Sequence, residues 1–176
     1  MSTPSQLTLT PLSSSDLAEV FPLWSDYDTV KLTNWTHTPT REECAQRLEK
    51  VLAHYGREPR HFGPWMVRVE QRSIGLVGAD LRDEATGEYE VWYVLRREEW
   101  GRGLATRAVG ALLERMVTSG RVRRAVATVV PENVGSWKLL ERHGFTRQEL
   151  LPAAFQRHGL VRDLFTYARV LHRSDK

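Results

Sequence analysis

Cysteine is nearly absent. Cys44 stands alone among 176 residues, so no intramolecular disulfide can form, as suits a chain kept in a reducing compartment. Long apolar runs are missing as well. No stretch approaches the roughly 20 residues that cross a bilayer, and MSTPSQLTLTPLSSSDL has neither the basic start nor the apolar centre of a secretory leader. A soluble, cytoplasmic protein that meets no membrane is therefore expected. No sign of charge dominates: 25 Lys and Arg face 22 Asp and Glu, a net +3, with a pI near 9.2. That excess is too small to argue for nucleic acid and suits an anionic small ligand. Histidines 37, 54, 61, 143, 158 and 172 show no HExxH spacing, and no CxxC pair exists, so no metal site is expected. Repeats and low-complexity segments are lacking too.

What is present reads as one domain over residues 7–176, after a flexible start at 1–6. LTLTPL alternates like a short strand. Ser13 to Ser15 lead into a helix, DLAEVFPLWSD, that Pro22 should kink or break. LTNWTHTPT is an irregular loop. Thr40 opens a capping box, T-R-E-E, for a helix from Arg41 to about Tyr55. PWMVRVEQ and IGLVGADL form a hairpin around Gln71-Arg72-Ser73. After the loop DEATGE, EYEVWYVL alternates as a third strand.

From Leu104 a helix runs to Ser119-Gly120, with Ala105, Val109, Leu112, Leu113 and Met116 on one face. RRAVATVV has the continuous apolar end of a buried strand. Asn133 opens a helix through Arg142, closed by Gly144. FTRQELL and VRDLFTYARVL complete the chain as strands, joined by a loop carrying His158-Gly159. The order β-αα-ββ-β-α-β-α-β-β, with a right-handed crossover, makes strands 88–95 and 124–130 parallel neighbours in a mixed sheet.

The chemistry gathers at WGRGLAT. Glycines just before a helix leave the first N–H donors open to a phosphate, with Arg102 and Arg107 adding charge. An empty tight turn is the alternative. The turn is no Walker A loop, because Gly-Lys-Ser/Thr does not follow, and Thr106 replaces the third glycine of GxGxxG.

Taken together, EYEVWYV, WGRGLAT, N-x-x-S in PENVGSWKLL, HGF and the later HGLVRDL resemble the GNAT superfamily of acetyl-CoA-dependent N-acetyltransferases. Within it they are most similar to the Rim-type branch that acetylates ribosomal-protein N-termini. The resemblance covers about Leu7 to Val170. It implies an α/β (α+β) fold: a mixed, mostly antiparallel sheet of six to seven strands with a central parallel pair and flanking helices. It implies acetyl-CoA as co-substrate, its pyrophosphate held by amides from Arg102 through Gly103, Leu104, Ala105 and Thr106, with Gly101 giving clearance. Main chain at Tyr93, Val94 and Leu95 would pair with the pantetheine arm, and Asn133 and Lys138 would add contacts. Asn133 reads equally as a helix N-cap.

Two departures stand out: Glu98 lies where Gln or Arg is frequent, and Leu140 replaces a tyrosine general acid. The resemblance then implies Glu90 as the base, with Glu88 or water as alternatives, Ser136 or water protonating the sulfur, and an amide near Val94, at a bulge, polarising the carbonyl. Cys44 reads as half-buried packing. The acceptor would lie against the two early helices, LTNWTHTPT and the loop LPAAFQRHG, with Trp24, Tyr27, Trp35 and Phe155 lining it. A protein N-terminal amine is one acceptor; amino sugars, polyamines and aminoglycosides are others. A non-catalytic acetyl-CoA-binding module is a separate reading, and nucleic-acid binding through Arg121, Arg123 and Arg124 is a third. The protein is expected to be a monomer or homodimer without nucleic-acid partners.

Overall fold

The computed structural model describes residues 6–57 and 61–171; most of the expected flexible start lies outside them. Seven strands form one sheet in the order β1-β2-β3-β4-β5-β7-β6. They are β1 (Leu7–Pro11), β2 (Phe62–Val69), β3 (Arg72–Asp83), β4 (Glu88–Leu95), β5 (Arg124–Val129), β6 (Thr146–Arg157) and β7 (Leu160–Val170). Neighbours run antiparallel except β4 and β5, which are parallel. The mixed sheet with a central parallel pair is thus the one expected.

Helices cover both faces, and strand alternation decides which residues each face receives. Val67, Val77, Val91, Ala127 and Leu95 point to one core with α4 (Leu104–Ser119) and α5 (Val134–Arg142). Met66, Leu76 and Val94 point to the other with α1 (Leu17–Trp24) and α3 (Arg41–Arg57). The Thr40 capping box forms as read: the Glu43 N–H donates to Thr40 Oγ1 at 3.2 Å, and the Thr40 N–H donates to Glu43 Oε2 at 3.1 Å. Pro22 sits inside α1, which stops at Trp24, and a single short helix, α2 (Tyr27–Val30), follows.

Three local expectations need correction. The β2–β3 reversal falls at Glu70 and Gln71, both left-handed with φ 49° and 70°; a two-residue hairpin demands that pair, so Arg72 and Ser73 join β3. LPAAFQRHG is not a loop. β6 runs through it to Arg157 with a register shift between Leu151 and Phe155. Pro152, which lacks an N–H, falls within that bulge, and the Ala153 N–H is satisfied by Asp163 Oδ1 at 2.9 Å. Finally, β4 carries no bulge at Val94. Its pairing with β3 is regular from Leu81–Tyr89 to Gly75–Leu95, because Gly75 lets the Val94 carbonyl approach where a Cβ would meet it at 2.3 Å.

Candidate active site

β4 and β5 pair only at Glu88, Tyr89 and Glu90 with Arg124, Ala125 and Val126. Beyond Glu90 they part. Each stays fastened on its outer side, β4 to β3 as far as Leu95 and β5 to β7 as far as Val129, so the gap is held open. A cleft of about 1090 Å³ fills it. The inner margin of β4 over residues 91–95 is thereby a strand edge that an extended ligand bearing amides can complete.

The glycine turn closes one end of this cleft. Gly101 and Gly103 both sit in the left-handed region, φ 73° and 72°, and a Cβ on either would meet nothing within 4 Å. Backbone conformation, not crowding, requires glycine here, and the space beside the turn is open. Gly103 is the N-cap of α4, and the first turn of that helix holds no acidic residue. The Gly103 carbonyl receives the Arg107 N–H at 3.1 Å, which leaves the preceding amides of the first turn without intrahelical partners. Those donors and the adjoining strand edge fit the pyrophosphate and pantetheine of acetyl-CoA.

Glu99 anchors the turn. It is 1% exposed and takes Arg102 Nη1 at 2.5 Å as well as Arg72 from the far hairpin. The Trp100 indole N–H donates to the Leu95 carbonyl at 2.9 Å. No sequence signal joins Arg72 to Glu99, because only the folded sheet brings them together.

Of the residues singled out in sequence, Glu90, Tyr93, Val94, Leu95, Gly101, Ala105, Asn133 and Ser136 line the cleft. Arg102 is turned to Glu99, Leu104 is buried in the core, the Thr106 carbonyl accepts from His143 Nε2 at 2.9 Å, and Lys138 Nζ lies over the Trp137 ring at 5.7 Å. Glu88 is outside the cleft lining, paired with Arg124 at 2.8 Å. Glu90 stands at the fork: Oε1 accepts from Thr128 Oγ1 across the gap at 2.9 Å, and Oε2 pairs with Arg82.

Across the cleft, Asn133 caps α5, its Oδ1 accepting the Ser136 N–H at 3.2 Å. Ser136 Oγ lies 2.7 Å from the Tyr93 hydroxyl, with either group able to donate. Burial pushes that phenol up to about 12, so it stays protonated at neutral pH. Leu140 is 1% exposed and the helix offers no tyrosine there, yet β4 supplies a phenol beside the serine. Alternation along EYEVWYVL puts Tyr93 on the α4–α5 side, but only the folded sheet sets its distance to Ser136. Cys44 is wholly buried, more than the half-burial expected, and burial raises its thiol pKa; it is no nucleophile.

At the other end of the cleft, Trp35 stacks on Trp24 at 5.2 Å and meets Trp92 edge-on at 5.0 Å. The Trp92 indole N–H donates to the Tyr55 hydroxyl at 2.8 Å, which donates to Asp80 Oδ1 at 2.5 Å. Trp24 and Phe155 are core residues outside the cleft lining. Tyr27 lies at the margin, its hydroxyl 3.4 Å from the His158 carbonyl of the β6–β7 turn. His54, His61 and Asp80 bring potential metal-ligating atoms within 4.8 Å of one another, a grouping no sequence motif announces. His61 Nδ1 already accepts the Leu81 N–H at 2.8 Å and Asp80 accepts from Tyr55, so two of the three groups are already engaged within the protein.

A parted parallel pair that leads into an anion-ready helix start is the arrangement that the resemblance to coenzyme A-dependent acyltransferases implied. The description "Acetyltransferase (GNAT) domain" matches residues 6–146, and the chain belongs to the GNAT acetyltransferase family: it is an acetyl-CoA-dependent N-acetyltransferase. It is similar to "Uncharacterized N-acetyltransferase p20" of Bacillus licheniformis, 28% identical over 93% of this chain and 92% of that relative. The fold is similar to that of RimL, a ribosomal L7/L12 alpha-N-protein acetyltransferase solved with coenzyme A: TM-score 0.85, 18% identity, 98% of this chain and 97% of that one. It is also similar to spermidine N-acetyltransferase from Vibrio cholerae solved with CoA and spermine: TM-score 0.81, 21% identity, 94% and 96% coverage. Among the described residues no helix is long and apolar enough to cross a membrane.

Proposed function

We propose that the protein moves acetyl from acetyl-CoA directly to a primary amine in the cytoplasm, with a protein N-terminal amine as the leading acceptor. The supporting observation is the opening of β4 from β5 beyond Glu90, which sets a carboxylate, a strand edge and a free helix start along one cleft. The pyrophosphate binds the amides around Gly103, and the pantetheine lies along β4. A β4 amide near Val94 polarises the thioester carbonyl. The amine must be neutral to attack. Its nitrogen bonds to the carbonyl carbon, and its surplus proton passes to Glu90 through water, since Arg82 and Thr128 already occupy the carboxylate. The carbon–sulfur bond breaks, and the sulfur takes a proton from Ser136, whose hydroxyl is resupplied by Tyr93 and solvent.

The experiment is a free-thiol release screen with acetyl-CoA against peptides differing in their first residue, alongside small amines. Thiol release with peptides supports the reading. Release with small amines alone moves the acceptor to that class. Tight acetyl-CoA binding with no release from any amine identifies a binding module.

A further inference from the structure

The acceptor end of the cleft has an uneven charge balance. Each carboxylate lining the cleft is engaged. Asp28 pairs with Lys31 at 2.6 Å and Arg97 at 3.0 Å, Glu132 with Arg162 at 3.0 Å, Glu90 with Arg82, and Asp80 accepts from Tyr55. The lining cations Arg47, Lys50 and Arg157 have no carboxylate partner among the described residues. Arg47 is the telling one. It projects from α3 over the Trp35 ring, 5.8 Å from its centroid, and its Nε is buried with no hydrogen-bond partner. Burial, then the charge of Arg157, lower its pKa. A half-buried guanidinium whose Nε is shut off from water with no partner, and which feels the charge of a second guanidinium, is unfavourable until an anion arrives.

We infer that the acceptor amine carries an anionic group, a carboxylate or a phosphate, which docks between Arg47 on α3 and Arg157 at the end of β6. This deepens the acetyl-transfer reading and rests on it. Arg's planar fork suits either anion bidentately. Trp35 and Trp92 wall the space beside it. The same charges repel polyamines, although the fold is shared with an enzyme solved with spermine.

Two measurements test this. The first compares kcat/KM within matched pairs: phosphoethanolamine against ethanolamine, and peptides with Asp against Asn at the second position. Spermidine serves as the cationic extreme. A charge-assisted contact predicts a preference of about tenfold to a hundredfold for the anionic member. Arg157→Gln, at an exposed position, erases that preference by raising KM for the anionic acceptor much more than for the neutral one, with acetyl-CoA affinity retained. Arg47→Gln, confirmed folded by its melting curve, does the same. The phosphoethanolamine and peptide arms tell a small phosphorylated amine from an acidic peptide. The second measurement is calorimetric titration of phosphoethanolamine into the CoA-saturated protein, which needs no turnover. Binding that Arg157→Gln abolishes supports the subsite even if no amine is acetylated, in which case only the transferase reading falls. Equal use of neutral or cationic amines, a preference that survives both variants, or no phosphoethanolamine binding in either form overturns the inference.

Discussion

The two ends of the cleft are built differently. The end we assign to the coenzyme comes from one continuous stretch, β4 through the glycine turn into α4, and it offers main-chain amides. The end we assign to the acceptor is assembled from Trp35, Arg47, Tyr55, Trp92 and Arg157, carried by a loop, α3, β4 and β6, and it offers side chains. Backbone geometry tolerates many sequences but few conformations, so the first end constrains glycine and little else. The second can change its ligand through single side chains while the fold stays fixed.

The contrast breaks most sharply at the fork between the two ends. Glu90→Gln keeps the shape and an acceptor for Thr128 but removes the carboxylate we propose as the base. Its kcat is expected to fall about 100-fold or more, with acetyl-CoA affinity retained by titration. A fall in melting temperature with unchanged kcat would make Glu90 only a brace between β4 and β5. Next in size is Gly103→Val. A β-branched residue at φ 72° is strained by about 1–3 kcal/mol and intrudes on the open space by the amides. We expect KM for acetyl-CoA to rise about tenfold while acceptor KM holds. Equal shifts in both would mean that the turn serves the whole cleft rather than the coenzyme.

This difference also explains what could be read in advance. The element order and the turn were legible from local periodicity and a glycine pair, and the parallel pair from the handedness of the crossover between its strands. Asn133 and Ser136 came from the family resemblance of N-x-x-S, and both line the cleft. The Tyr93–Ser136 contact, the Arg72–Glu99–Arg102 anchor and the Arg47–Arg157 pair were not. Each joins segments well separated along the chain, and only the folded sheet sets their distance. LPAAFQRHG failed for another reason. Pro152 and a left-handed Ala153 (φ 51°) look like loop chemistry, yet Asp163 satisfies the bulge and the strand resumes.

Smaller effects sharpen the acceptor side. Tyr55→Phe deletes the hydroxyl that links Trp92 to Asp80. Loss of one such bridge removes about 1 kcal/mol of stability, and acceptor KM is expected to move while KM for acetyl-CoA does not. Steady-state kinetics with each substrate varied in turn decides this. An equal rise in both KM values would place the hydroxyl in the shared frame.

The smallest expected effect concerns how α1 is held to the sheet. Glu19 pairs with Arg68 at 2.8 Å and accepts from Ser73. Burial works against its ionisation, but the Ser73 and Arg68 hydrogen bonds and the Arg68 and Arg96 charges outweigh it, so its pKa lies below the ordinary 4.5. A depressed carboxylate stabilises the fold fully above the unfolded value and loses that contribution as pH falls through the folded one. The window therefore lies below pH 4.5. With the side chain 38% exposed, solvent screening holds the contribution to under about 1 kcal/mol. Glu19→Gln should lower the melting temperature slightly at pH 7 and converge on the parent protein in acid. Parallel melting curves across that range, with no convergence, would assign the acid sensitivity of this wall to another group.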